Sequence, residues 1–167
     1  MLYFAYGSNM SLQRIAARVD EPRIISSAVL YGYDLRFNKL GQDGSAKCSI
    51  NYTGESESQT YGVVFDIKNQ DKLNLDRFEG LGQGYRLETV NVTDGYGNQF
   101  KAITYEATRF TNNLRPFSWY HHHVLRGAQE ADLPSDYLEK LYQVKTSLDN
   151  NRERHVKELA IYNKSRF

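Results

Sequence analysis

The chain has 167 residues, of which 40% are hydrophobic and 25% charged, a size typical of one domain with a sizeable core. The formal net charge is only +1, because 21 Lys and Arg stand against 20 Asp and Glu. Proteins that bind nucleic acid or membrane surfaces carry clustered positive charge, so this balance argues against both kinds of partner. The 13 Tyr residues stand out and are typical of pockets or interfaces with a polar lining.

Cys48 is the one cysteine in the sequence. It therefore forms no intrachain disulfide and cannot contribute to a site built from several thiolates. It lies in a strand pattern, which indicates a packed thiol rather than a nucleophile. The N-terminal segment lacks the pattern of a secretory signal, and no window has the 18 apolar residues that a membrane span needs. We therefore expect a soluble, cytoplasmic protein.

Strands predominate in the first half of the chain and helices in the second. In chain order, the apolar runs predict strands at residues 2–6, 29–38, 46–52, 61–67, 85–93 and 100–107. Helical spacing predicts helices at residues 12–19 and 69–78, then a helical series from about residue 117 that includes residues 137–148 and the charged segment 150–164. This mixture is typical of an α+β domain, and the pattern does not distinguish an open sheet from a small barrel.

Glu79 is the carboxylate with the most informative position. It ends the predicted helix that contains Leu75, and the i+4 spacing puts the two side chains on one face. A carboxylate that faces inward at a helix end can act as a proton shuttle. The alternative is a glutamate that turns outward into water, as most glutamates do.

The segment Tyr6-Gly7-Ser8-Asn9 lies between a buried strand and the start of a helix. A turn of this composition exposes backbone N–H groups, and a glycine lets a ligand come close. The helix that follows adds a dipole that favours an anion such as a carboxylate. The alternative is an ordinary turn in which Asn9 or Ser11 caps the helix.

His121, His122 and His123 lack the spacing of a metal site. Consecutive helical residues point about 100° apart, so these side chains cannot converge on one ion. We therefore expect a solvated face with one buried histidine. The glycine patterns of nucleotide sites and the serine motif of hydrolases are also absent from the sequence.

Several segments, taken together, resemble the γ-glutamylcyclotransferase family. They are Tyr3-Phe4-Ala5-Tyr6-Gly7-Ser8-Asn9, Leu75-Asp76-Arg77-Phe78-Glu79-Gly80, and the late segments 127–134 and 137–141. They follow one another in the family's order between residue 2 and about residue 145. The resemblance implies an α+β fold around a small mixed-strand barrel with surrounding helices, and often a homodimer. It suggests a domain at residues 1–148 and a charged helical C-terminal extension at residues 149–167.

The resemblance also implies a reaction without a cofactor. The α-amine of a γ-glutamyl amide attacks its own γ-carbonyl, which closes 5-oxoproline and expels an amine or an amino acid. Glu79 matches the family's catalytic general base and acid. The matching substrate-binding positions are Tyr3, Phe4, Ala5, Tyr6, Gly7, Ser8 and Asn9 in the first segment, together with Tyr105 and Tyr120.

Two loops, at residues 81–84 and 108–117, are the predicted determinants of which amine or amino acid leaves. The alternative function is a non-catalytic member of the same fold that binds a small ligand or a protein partner. The carboxylate of Glu79 favours the enzyme, since a protein that only binds has no need of it. The expected partner is a small γ-glutamyl substrate, without nucleic acid or membrane.

Overall fold

The computed structural model describes residues 1–164, and five of the seven strands in this range close into a barrel. The strands are β1 (Leu2–Ala5), β2 (Arg23–Tyr31), β3 (Tyr33–Leu40), β4 (Ala46–Tyr52), β5 (Gln59–Asp66), β6 (Tyr85–Asp94) and β7 (Gln99–Ala107). The barrel order is β1-β5-β2-β6-β7. Its pairs are antiparallel except that of β1 with β7, which is parallel. The predicted α+β fold around a small mixed barrel is confirmed.

The helices lie outside the barrel, and β3 and β4 form a separate two-stranded sheet. The α-helices are α1 (Leu12–Ala16), α2 (Lys72–Glu79), α3 (Ser118–Glu130), α4 (Ser135–Tyr142) and α5 (Arg152–Leu159). None of the helices in residues 1–164 is long and apolar enough to cross a membrane.

The predicted strand at residues 29–38 is wrong, because the chain turns at Gly32. This residue has φ +78° and separates β2, in the barrel, from β3, in the two-stranded sheet. Glycine adopts this left-handed conformation without strain. The period-two pattern continues across the turn, so it does not reveal the break. The pattern also misses the start of β2, where Ile24 and Ile25 are both exposed and show no alternation.

Two predicted helices extend too far. The first ends at Ala16, although Val19 is buried beyond it, because an apolar side chain can pack from a turn as well as from a helix. The predicted helix at residues 137–148 ends at Tyr142, and Leu148 is exposed. Residues 165–167 of the predicted C-terminal extension lie outside the described residues.

A close approach between α3 and the chain segment after β1 positions the site. A Cβ atom on Gly127 would lie 2.3 Å from the backbone nitrogen of Ser11 and 2.5 Å from Met10. Contacts this short are excluded for any side chain, so α3 reaches this segment because residue 127 is glycine. The turn at Ser8–Met10 is thereby held against a buried helix.

Candidate active site

The segment after β1 forms one wall of a cavity. It makes a 3-10 turn at Ser8–Met10, in which the Met10 N–H donates to the Gly7 carbonyl at 3.0 Å. Neither Asn9 nor Ser11 makes a side-chain capping bond to α1, so the alternative of a helix cap does not describe this turn. The side chain of Asn9 instead points to α2.

Glu79 is the last residue of α2, opposite this turn. Gly80 follows in the left-handed conformation with φ 69° and ends the helix. Leu75, one turn earlier, is fully buried and fixes which face of α2 packs inward. The Glu79 side chain is consequently only 15% exposed, so the outward-turning alternative does not describe it.

Three side chains form a hydrogen-bonded triangle at Glu79. Asn9 Nδ2 donates to Glu79 Oε1 at 2.7 Å. Arg18 Nη1 lies 2.7 Å from Asn9 Oδ1 and 2.9 Å from the same Glu79 oxygen. The Arg18 side chain is 11% exposed, and its guanidinium stacks over Phe78 at 5.3 Å from the ring centroid. The second oxygen, Oε2, accepts no hydrogen bond from a residue within 1–164, so it is available to a ligand.

Arg18 is a site residue that the sequence analysis missed. It lies in the turn after α1, outside every segment that carries the family resemblance. Nothing in its local pattern separates it from a surface arginine. Its position becomes evident only when the fold brings the turn after α1 to the end of α2.

Buried tyrosines surround the carboxylate. The hydroxyl of Tyr3 accepts from Asn9 Nδ2 at 3.0 Å, and that of Tyr105 donates to Asp76 Oδ1 at 2.6 Å. The Tyr6 hydroxyl donates to the Tyr105 carbonyl. Burial, the largest cause in each case, raises the pKa of all three phenols above the usual range. They are therefore neutral hydroxyls near pH 7, suited to hydrogen bonding rather than to charge.

Tyr120 and Tyr85 hold the strand β4 against the site. The Cys48 N–H donates to the Tyr120 hydroxyl at 2.9 Å, and the Tyr85 hydroxyl donates to the Cys48 carbonyl at 2.9 Å. Burial raises the pKa of the Cys48 thiol to about 12, which makes it unreactive near neutral pH. Cys48 is thus a packed thiol, and Tyr85 is a second cavity residue that the sequence analysis missed.

The structure brings together most of the predicted binding residues. A narrow recess of about 30 Å³ is lined by Tyr3, Tyr6, Gly7, Ser8, Asn9, Cys48, Glu79, Tyr85, Tyr105 and Tyr120. Phe4 and Ala5 do not line it, because both are buried in the barrel wall, where β1 pairs with β5. Their contribution is to the packing of the strand that carries the turn.

The recess opens into a larger basin of about 350 Å³, which shares Ser8, Glu79, Tyr85 and Tyr120 with it. Six basic side chains and three acidic ones line this basin: Arg14, Arg18, Lys39, Lys47, Arg77 and Arg154, with Asp43, Glu79 and Glu158. Of the predicted specificity loop at residues 81–84, only Gln83 lines the basin, and none of residues 108–117 does. The basin is therefore a cationic vestibule in front of a recess that contains one carboxylate.

None of the three histidines lines the basin, although His123 Nε2 is 3.6 Å from Oε2 of Glu158, which does. His121 and His123 are both buried, so the expectation of one buried histidine is wrong: both pack between α3 and its neighbours. His121 Nε2 bonds to the Leu141 carbonyl and His123 Nδ1 to the Tyr162 hydroxyl. Residues 1–164 contain no cluster of His, Cys, Asp or Glu that could hold a metal ion.

Fold and site together define a small mixed-barrel protein with one buried carboxylate at the mouth of its ligand cavity. The family model of the AIG2-like family matches residues 59–141, a range that includes Glu79, Tyr105 and Tyr120. Gamma-glutamylcyclotransferase of Bos taurus is 30% identical over 150 residues, which cover 86% of this chain and 78% of that protein. The Homo sapiens protein of the same name is 29% identical over 145 residues, covering 84% and 76%.

Structural comparison gives the same result. A solved structure named gamma-glutamyl cyclotransferase matches with a TM-score of 0.82 at 25% identity, over 95% of this chain and 98% of that one. This chain therefore belongs to the γ-glutamylcyclotransferase family.

Proposed function

We propose that this protein is an enzyme that converts a γ-glutamyl amide to 5-oxoproline and releases the free amine or amino acid. The observation that carries the proposal is the environment of Glu79. Both hydrogen-bond donors of the triangle, from Asn9 and Arg18, approach Oε1. Oε2 accepts none from the described residues, and Glu79 lines both the recess and the basin, so this oxygen is the one available to exchange a proton with a ligand.

The reaction requires Glu79 to accept one proton and later to donate it. An α-ammonium group has a pKa near 8, so the substrate amine must lose a proton before it attacks. The ammonium proton goes to water, and Oε2 of Glu79 then takes a second proton from the nitrogen as the neutral amine bonds to the γ-carbonyl carbon. The same oxygen then delivers the proton to the departing nitrogen as its bond to that carbon breaks. The nucleophile belongs to the substrate itself, so the chemistry requires no metal and no nucleotide.

Binding contacts supply most of the remaining catalysis. Intramolecular attack requires a substrate held in a folded conformation, and the narrow recess of tyrosines favours such a shape. The backbone N–H groups of the turn at Gly7, Ser8 and Asn9 are suited to hold the α-carboxylate or the oxygen that becomes negative during attack. Neutral hydroxyls of Tyr3, Tyr6, Tyr105 and Tyr120 complete the polar lining.

The test is incubation of the purified protein with a panel of γ-glutamyl amino acids and γ-glutamylamines, with 5-oxoproline measured by mass spectrometry. We expect 5-oxoproline and the free amine or amino acid in equal amounts from at least one compound. Binding of a panel member without turnover would instead support a non-catalytic member of the fold. The Glu79→Gln variant serves as the control for spontaneous cyclisation.

A further inference from the structure

Lys39 is a lysine with a buried stem in the lining of the basin, and the proposed reaction does not use it. Only 7% of the surface of Lys39 is exposed to solvent. The residue lines the basin together with Glu79. The ammonium is 4.6 Å from the centroid of the Tyr85 ring. No acceptor in residues 1–164 receives a hydrogen bond from it, and no carboxylate in that range forms an ion pair with it. The ammonium has no anionic hydrogen-bond partner among the described residues and lies in the lining of the open basin, so it is accessible to an anionic ligand there.

The backbone of β3 is irregular where Lys39 occurs. The register with β4 shifts between the pairs Phe37–Cys48 and Lys39–Lys47, which leaves Asn38 as an extra residue. Such a bulge changes the direction of the following side chain and is common beside active sites. The segment 109–111 holds this end of the strand, because the Leu40 N–H donates to the Arg109 carbonyl and the Thr111 N–H to the Asn38 carbonyl. The predicted specificity loop at residues 108–117 thus supports β3.

Gly84 leaves the space that the lysine occupies. A Cβ atom on Gly84 would lie 3.0 Å from Cε of Lys39 and 3.1 Å from its Nζ. Any side chain at position 84 would therefore press on the ammonium. The turn that precedes β6 and the bulge in β3 together leave room for the Lys39 side chain.

The neighbouring Lys47 is a cation of the same basin, and its contacts give it a structural role. It is the cross-strand partner of Lys39, and its Nζ is 2.6 Å from Asp43 Oδ2 and 2.9 Å from the Ser45 hydroxyl. Lys39 has no such contacts, and burial lowers its pKa. Like charges opposite each other in a sheet are destabilising. Within the described residues, Lys39 has the ring of Tyr85 and the more distant carboxylates of Glu79 and Asp43 as favourable neighbours, but none of them accepts a hydrogen bond from it.

We propose that Lys39 is a specificity-determining residue that binds an anionic group on the leaving part of the substrate. The inference rests on the proposed function. The recess beside Glu79 would hold the γ-glutamyl part, and the cationic basin in front of it would hold what leaves. A carboxylate there would give the Lys39 ammonium the partner that the protein does not provide. The leaving part is then an amino acid or a short peptide with a free carboxylate, rather than a neutral or cationic amine.

Two substrates of equal size test this role, γ-glutamyl-alanine and γ-glutamyl-alaninamide. The second lacks only the charge on the leaving part. A hydrogen bond to a charged group corresponds to about a ten- to hundredfold preference, so we expect wild-type kcat/KM to favour the acid by this factor. Lys39→Met should lower kcat/KM for the acid to the level of the amide and leave the amide unchanged. Lys101→Met, at an exposed position of β7, is the control and should keep the preference.

Gly84→Ala provides a second variant that retains the charge but displaces the ammonium. Like Lys39→Met, it should reduce the preference for the acid over the amide. Thermal unfolding checks that both variants are folded. Equal loss on both substrates would mean that Lys39 serves the γ-glutamyl part or the fold, and would overturn the inference. A preference that persists in Lys39→Met would overturn it as well. If the wild type cyclises neither compound nor any other γ-glutamyl substrate, the proposed function fails and this inference falls with it.

Discussion

The side-chain amide of Asn9 donates a 2.7 Å hydrogen bond to Glu79 Oε1 across a separation of 70 residues. This bond joins the turn after β1 to the end of α2, and Arg18 bonds to both partners. The two segments with the strongest family resemblance therefore share one hydrogen-bonded unit. The free-energy changes caused by substitutions within such a unit are coupled rather than additive.

The first prediction concerns Glu79. We expect Glu79→Gln to lower the rate of 5-oxoproline release by a factor of about 10²–10⁴, the usual contribution of general acid–base catalysis. Glutamine keeps an acceptor oxygen for Asn9 and Arg18 but cannot carry the proton. Turnover of γ-glutamyl-alanine, together with thermal unfolding, measures both points. Glu57→Gln, at an exposed loop position, is the control, and wild-type turnover in Glu79→Gln would rule out the mechanism.

A second prediction concerns Arg18 as a positioning residue. Arg18→Met removes one of the two donors to Oε1, so the carboxylate loses part of its orientation. We expect kcat to fall by about ten- to hundredfold, the value of a hydrogen bond to a charged group, with little change in KM. Arg36→Met, on the exposed surface of β3, should behave as wild type. The double variant with Asn9→Ala should lose less than the product of the single losses, and strict additivity would contradict the shared unit.

The third prediction concerns the space beside Gly7. A Cβ atom there would lie 3.1 Å from Cys48 Cβ and 3.3 Å from the Tyr120 hydroxyl. Gly7→Val should therefore displace the turn from β4 and obstruct its N–H groups, so that KM rises and the free energy of unfolding falls by about 1–3 kcal/mol. Steady-state kinetics and urea unfolding measure the two effects. Gly95→Val is the comparison, since its Cβ would meet nothing within 4 Å; similar KM changes in both variants would count against the contact.

The fourth prediction is a pH dependence of stability that arises from His123. Burial, the largest cause, lowers the pKa of this imidazole from 6.5 to about 4, so the ring is neutral in the folded protein near pH 7. Below about pH 6.5 the His123 imidazole is protonated in the unfolded chain, whereas in the folded protein it stays neutral down to about pH 4. The free energy of unfolding should consequently fall as the pH decreases from about 6.5 to about 4.

Urea unfolding at several pH values across this window measures the effect. His123→Gln should remove part of the slope, because the variant has no imidazole at the buried position. His155→Gln, in α5, is the comparison variant. An unchanged slope in His123→Gln would show that other groups cause the pH dependence.

Several elements could be predicted because their signals are local. The strands β4 and β7 and the helix α2 follow from apolar spacing, and the end of α2 follows from the glycine after Glu79. The turn at Gly32 could not be predicted in this way, since a period-two pattern is the same on both sides of it. Which sheet a strand joins depends on partners far along the chain.

For the candidate site, the sequence by itself determined the chemical groups, through the turn at Gly7 and the inward spacing of Glu79 from Leu75. Only the tertiary structure decided how they meet. Arg18 and Lys39 have no local signal, because an arginine in a turn and a lysine in a strand are ordinary surface residues by pattern. Arg18 is positioned by the hydrogen bond that joins the turn after α1 to the end of α2, and Lys39 by the bulge in β3. Local spacing fixes which face of an element is apolar, whereas long-range contacts fix which charged groups share a cavity.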